Sequence, residues 1–248
     1  MPQAKPTSPI VVDDEAAAGA ARTRHPRLAR ALMAATLALM LVMLATSVVH
    51  LPTHEWLARE DGFVEWLTFG ALVVAGGVLL ARWWGFRQNR GALWQAVYLL
   101  GALAAFFGAG EEVSWGQRVF GWATTETFAN NRQGETNLHN LEVGGMNLNK
   151  VVFTYGLGLA LATYFLLLPY VVRRWAALRA WLAEAGVPIP TYTIAGWFVA
   201  CVLIVVLIPY SRKWETLEVL VPVGALVVLF ERGVVLGRGS VARAEAAD

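Results

Sequence analysis

Apolar residues in this chain come in long unbroken runs, not in the alternation of a half-buried strand. Six runs stand out, at about 29–50, 64–83, 92–110, 151–172, 192–210 and 217–236. A helix needs about 20 apolar residues to cross the hydrocarbon core of a bilayer, and a core strand needs far fewer. The pattern predicts an all-α polytopic membrane bundle of six transmembrane helices over residues 28–236. Residues 1–27 carry Pro2, Pro6 and Pro9, the acidic patch Asp13-Asp14-Glu15, and Arg22, Arg24 and Arg27 without apolar periodicity. They read as a flexible cytoplasmic tail, and residues 237–248 as a second one. The first run is of span length and lacks a small-x-small cleavage site behind it, so a retained helix is expected. Gly156, Gly158, Pro222 and Gly224 inside the runs fit close packing or a kink.

Composition agrees with the runs. Of 248 residues, 57% are hydrophobic and 15% charged, with mean hydropathy +0.51, whereas soluble domains are roughly 25% charged. One cysteine excludes an internal disulfide framework, and Cys201 sits in an apolar run as a packing residue. A net charge of +2 gives no sign of nucleic-acid binding. With the N-terminus placed inside and the runs counted alternately, fourteen Lys and Arg fall on the inner side and six on the outer. This positive-inside bias predicts that both termini are cytoplasmic, with the bilayer of a bacterial inner membrane as the surrounding partner. The connection 173–190 reads as a basic amphipathic stretch lying on anionic lipid heads.

Eleven of the eighteen acids and three of the four histidines, His50, His54 and His139, then fall on the outer side. Acids direct topology only weakly, so their gathering was not forced by the orientation rule. Glu65 opens the second run, Glu111 and Glu112 close the third, and Glu215 and Glu218 stand at the opening of the sixth. A rise of about 1.5 Å per residue brings these ends to one depth, the outer edge of the hydrocarbon. Carboxylates there are functional candidates unless they are simply solvated helix ends, and the sequence leaves both readings open.

The outer loop 111–150 is the longest connection, and its Trp, Phe and Leu anchors predict order. Past Glu112 the polar residues alternate with large apolar ones, as in a helix continuing into the interface or a re-entrant turn. On a continued helix Glu111, Ser114 and Arg118 share a face, and Arg118 can neutralise Glu111 or hold an anionic group. Trp115 and Trp122 also fit an interfacial aromatic belt. Thr124 or Thr125 reads as a helix cap. If 135–142 is helical, Glu135, His139 and Glu142 lie on one face, at spacings that let a carboxylate and an imidazole share a divalent metal ion. Asn137 and Asn140 are placed to orient those ligands or to hold a substrate, together with Gln117 and Ser114.

The segments Gly110-Glu111-Glu112-Val113-Ser114-Trp115-Gly116-Gln117-Arg118 and Gln133-Gly134-Glu135-Thr136-Asn137-Leu138-His139-Asn140 resemble a signature of uncharacterised multi-spanning bacterial membrane proteins. The resemblance covers the third run and the outer loop and brings no activity with it.

These residues predict a site at the extracytoplasmic membrane face. Glu111, Glu112, Glu135 and His139 form its catalytic core and, with Glu65, Glu215 and Glu218, its metal-ligand candidates. The chemistry expected is metal-assisted or acid–base hydrolysis or transfer on a lipid or lipid-linked substrate. The alternative is a non-enzymatic protein. It would be either a cation- or proton-coupled carrier or an assembly factor docking a partner through the outer loop. A carrier needs polar groups at mid-depth, where the sequence offers only weak ones such as Ser47, Thr154 and Thr163.

Overall fold

A computed structural model gives the architecture and describes residues 23–128, 130–131, 134–138, 141–143, 146–147, 155–210 and 212–232. Among the described residues the regular structure is helical apart from a two-residue antiparallel ribbon, β1 (Glu142–Val143) with β2 (Met146–Asn147). Helix α1 (Pro26–Val49) opens on a proline, whose missing N–H is no loss in the first turn. A short helix, α2 (Leu51–Ala58), follows at once, and its N-terminus is capped by His50, which accepts from the Thr53 N–H. Helices α3 (Phe63–Phe86) and α4 (Ala92–Glu112) form a long hairpin joined by the turn Arg87–Asn89.

Glycines let the hairpin close. A Cβ on Gly76 would meet the Phe106 ring at 3.0 Å, and one on Gly101 would meet Leu79 at 3.2 Å. Small residues at such crossings are the usual way membrane helices approach closely, since lipid provides no hydrophobic drive to associate.

Helix α5 (Gln117–Phe120) is a single turn within the segment that follows α4, and beyond that segment come α6 (Leu157–Ala162), a π-turn over Thr163–Leu167, and α7 (Leu168–Arg174). Pro169 explains the widened turn. It has no N–H for the Phe165 carbonyl and its ring crowds that carbonyl, so the helix loosens just ahead of it. Helices α8 (Ala176–Glu184), α9 (Tyr192–Val206), α10 (Lys213–Glu218) and α11 (Leu220–Arg232) complete the bundle.

Four segments, Pro26–Val49, Leu51–Asn89, Ala92–Glu112 and Leu157–Arg174, are long and apolar enough to cross a membrane. No more than 28% of the most apolar stretch of any of them is buried within the chain. Leu41, Val42, Val74, Leu100, Leu103 and Leu159 are therefore exposed along their lengths. Apolar surface on this scale fits lipid and not water.

The fifth run is shorter as a helix than its hydropathy predicts. Helix α9 has 15 residues, or about 22 Å of rise against a hydrocarbon core of about 30 Å. Pro209 stops α9, and the Lys213 ammonium donates to the freed carbonyls of Val206 and Ile208. Helix α10 passes into α11 through Val219, whose backbone is itself α-helical and whose carbonyl accepts the Val223 N–H at 3.2 Å.

Helix α11 lies inside the bundle, packed against α1 and α3, with Leu220, Val223, Gly224, Leu226, Val227, Val228 and Leu229 buried. A helix apolar all round is either buried or lipid-facing, and hydropathy alone cannot separate the two. Cys201 is fully buried in the same core, as its setting predicts. Phe165 stacks on Phe198 with ring centroids 4.5 Å apart and seats its tip against Gly224, where a Cβ would stand 2.8 Å from the ring. The start of α1 is tied to the end of α11 by the His25 N–H on the Phe230 carbonyl and by Arg82, which donates to the carbonyls of Leu229 and Thr23.

Because the stacked Phe165 ring has little room to retreat, Gly224→Ala is expected to destabilise the bundle by about 1–3 kcal/mol. Adding Phe165→Leu should return part of the loss. Thermal unfolding of the detergent-purified variants measures both effects.

Candidate functional site

The carboxylates singled out by depth are divided between two neighbouring sites. At the end of α4, Glu111 and Glu112 go separate ways. Glu112 lies within electrostatic reach of Glu218, which also feels Glu215 and Glu65. Glu215 in turn feels Glu65, Glu60 and the Arg212 cation. Acids from the start of α3, the end of α4 and from α10 thus share one end of the bundle, where α10 packs against α2 and α3.

Glu65 has a local task as well. It turns back to accept the N–H of Asp61, a non-glycine residue held at φ 57° just ahead of α3. Burial pushes the Glu215 carboxyl up to about 7 from its ordinary 4.5, and the negative charges of Glu65 and Glu60 push the same way against the opposing pull of Arg212. A carboxyl that exchanges its proton near neutral pH is suited to general acid or base work.

Glu218 also lines a groove between α6 and the α10–α11 junction, and every other wall of that groove is largely apolar: Leu157, Gly158, Leu161, Trp214, Leu217 and Val221.

Glu111 faces the loop. Its side chain is only 3% exposed, with Oε1 accepting from the Trp115 indole N–H at 2.7 Å and Oε2 from the Leu138 backbone N–H at 2.6 Å. The expected helical continuation does not form, so Glu111, Ser114 and Arg118 share no helical face. Helix α4 ends at Glu112, and Ser114, Trp115 and Gly116 follow with φ of 46°, 55° and 86°, a turn of left-handed backbone. Left-handed conformation costs about 1–2 kcal/mol at each non-glycine residue, so this turn must be held from outside. Gly110 makes room for it, since a Cβ there would strike the Trp115 ring at 2.9 Å.

The second motif does the holding. The fully buried Ser114 hydroxyl donates to Glu135 Oε2 at 2.7 Å. The Asn137 amide donates to that oxygen at 2.7 Å and to Ser114 Oγ at 3.0 Å. Asn131 orients Asn137 through its carbonyl and side-chain oxygens, both at 2.9 Å, and accepts the Glu135 N–H. Gln117 donates to Thr124 Oγ1 at 2.8 Å and accepts the Thr136 N–H, while Thr124 donates to the Gly134 carbonyl.

The helix expected over 135–142 is therefore absent. Residues 134–138 form a run of bends around Ser114, Leu141 bridges to Asn131, and Glu142 is in β1. Glu135 and Glu142 accordingly have no common helical face on which to chelate a metal. Thr124 closes the loop, and the expected helix start appears as the single 3₁₀ turn Glu126–Phe128 directly after Thr125, whose carbonyl accepts the Phe128 N–H at 2.9 Å. His139 and Asn140 lie outside the described residues, as does the side chain of Arg118. Among the described residues no three of His, Cys, Asp and Glu come close enough together to hold a metal ion.

Sequence spacing missed Asn131, which organises the loop through three bonds, and gave Trp115 only an interfacial role. It also missed His54, which is 1% exposed and whose Nδ1 lies 3.1 Å from the Met43 carbonyl, fastening α2 to α1. A carbonyl only accepts, so that nitrogen carries the proton.

If Glu111 and the Ser114–Glu135–Asn137 cluster hold the loop, Glu111→Leu or Asn137→Ala should raise amide hydrogen exchange across 122–138 by about 10- to 100-fold, with α1, α3 and α4 unchanged. Unchanged loop protection in both variants would refute the anchoring role. For Glu215, a folded-state value above the unfolded one makes the native state the tighter proton binder. Its contribution to stability is complete below about pH 4.5 and is lost as pH rises through about 7. Thermal midpoints across that window should fall for the wild type and flatten in Glu215→Gln, a difference of about 1–3 kcal/mol at its widest. Set against protein-family models, curated proteins and solved structures, the chain matches none, so its own geometry carries the functional reading.

Proposed function

We propose that this is a six-pass integral membrane protein of the bacterial inner membrane, with both termini cytoplasmic. At its extracytoplasmic face it performs acid–base hydrolysis or transfer on a lipid or lipid-linked substrate. The single observation that carries the proposal is the groove in which Glu218 is the one ionisable wall among apolar ones. An acyl or prenyl chain fits Leu157, Leu161, Leu217 and Val221, and its polar head then lies beside Glu218 and the carboxylates grouped with it. Glu215 would hold or release the proton, and Glu65 and Glu112 keep the local field negative so that one carboxyl of the group stays protonated near neutral pH. Ser114, Gln117, Glu135 and Asn137 hold the loop beside the end of α4. His139, Asn140 and Arg118 remain candidates on the loop for substrate contact.

Of the hydroxyls that the carrier alternative would use, Ser47 donates to the Leu44 carbonyl of its own helix, and Thr154 lies outside the described residues.

The test compares the lipids and lipid-linked intermediates of membranes carrying wild type, Glu218→Gln or Glu215→Gln, by mass spectrometry. A species that accumulates or disappears with wild type alone, with turnover at least about 100-fold lower in Glu218→Gln, is the expected result. Identical lipid profiles, together with proton or cation uptake into proteoliposomes that depends on Glu218, would replace the enzyme with the carrier.

A further inference from the structure

The apolar face of α4 does not stop where the helix stops. Leu100, Leu103, Phe107 and Gly110 recur at spacings of three and four, so they share one side of the helix, and the three large ones are exposed. The 21 residues of α4 rise about 31 Å, against a hydrocarbon core of about 30 Å, so its last turn stands at the polar boundary. There the left-handed turn sends Trp115 back over Gly110, and its ring meets Phe107 edge to face with centroids 5.3 Å apart. Glu111 takes up the indole N–H, and the apolar body of the ring stays half-exposed. Trp115 therefore adds one more layer to the exposed stripe of α4.

The stripe then widens. Phe120 and Trp122 stack with centroids 5.3 Å apart and their planes 14° from parallel. Both rings close over Gly116, where a Cβ would meet Phe120 at 3.0 Å and Trp122 at 3.3 Å. Gly116 joins this pair directly to Trp115, so the three rings belong to one surface. The pair is open on its other side. Phe120 is 74% exposed, and each of Val119, Phe120, Gly121, Trp122 and Ala123 is exposed and uncharged. Proteins seldom leave a run of this kind to water unless it has an interaction to make.

Continuity says what covers it. The surface that meets Leu100, Leu103 and Phe107 along the span also meets Trp115 at its end, and the Phe120–Trp122 pair lies next to Trp115. A partner from the aqueous phase would cover the pair and not the stripe that it prolongs. Indoles, with an apolar body and one polar tip, suit the level at which acyl chains give way to head groups.

We infer that Trp115–Trp122 is an interfacial anchor, and that its partner is the lipid surface of the leaflet at the acidic end of the bundle. The buried network around Ser114 holds the segment from the protein side, and the bilayer holds it from the other. The inference does not depend on the acid–base reading of Glu215 and Glu218 and stands or falls without it.

The experiment places the full chain in vesicles of phosphatidylglycerol and phosphatidylethanolamine, with Cys201→Ala to remove its single cysteine. A nitroxide label is then attached at Val119→Cys or Phe120→Cys, and at Thr125→Cys as the aqueous reference. All three positions are exposed, so labelling leaves the network around Ser114 in place. Labels at 119 and 120 should collide with oxygen in preference to a water-soluble nickel chelate, at a depth of about 5–10 Å into the head-group and acyl boundary. The label at 125 should stay open to the chelate. Val119→Cys keeps the ring pair intact and decides the matter if Phe120→Cys disturbs the turn. Chelate access at 119 and 120 equal to that at 125 would overturn the inference. So would dipolar coupling between labels on different chains at a high ratio of lipid to protein, which would give this face to a second copy.

Discussion

Order in the segment that follows α4 depends on one buried carboxylate. Glu111 sits at the last turn of α4 and is satisfied by one donor from the turn that follows it and one from the loop beyond. Without the first bond the Trp115 indole has no reason to lie back over Gly110, and the left-handed run through Ser114 and Trp115 loses its support. Without the second, residues 134–138 are not brought to Ser114. A carboxylate out of water is stable only when its oxygens are occupied, so the requirement runs both ways: the loop satisfies the acid, and the acid places the loop.

The same arrangement separates two neighbours that look equivalent in sequence. Glu111 is occupied by structural bonds, which leaves Glu112 to join the negative field around Glu218 and Glu215. That field explains why the acidic end of the bundle can bind protons near neutral pH although Arg212 is close by. Burial outweighs the single cation, and each further carboxylate adds to it.

Much of this was legible in the sequence, for identifiable reasons. Helices α1, α3 and α4 begin and end within a few residues of their apolar runs because long runs flanked by arginines and acids have one low-energy solution in a membrane. Rise per residue could place Glu65, Glu112, Glu215 and Glu218 only at one depth, and it is the packing of α10 against α3 that brings them within electrostatic reach of one another. The loop could not be read in this way. Glu135, His139 and Glu142 have helical spacing, yet Gly134 adopts φ 69° and Asn131 captures the Glu135 amide, so local bonding overrides periodicity. Nor could hydropathy show that the last apolar run serves as an internal core helix, because a buried helix and a lipid-facing one have the same composition.

The two ends of the α3–α4 hairpin differ in charge. At one end carboxylates crowd together, and the field they create favours a proton, a cation or a group that shares a proton with them. At the other, Arg82 is buried, and Arg87 and Arg90 lie over the rings of Trp84 and Trp94. Between them the helices present apolar side chains outward, and the groove beside Glu218 is itself largely apolar. An apolar middle with charge confined to its two ends is the arrangement that a bilayer imposes, because a charge is costly in hydrocarbon and long cationic side chains reach from apolar helices to the polar boundary.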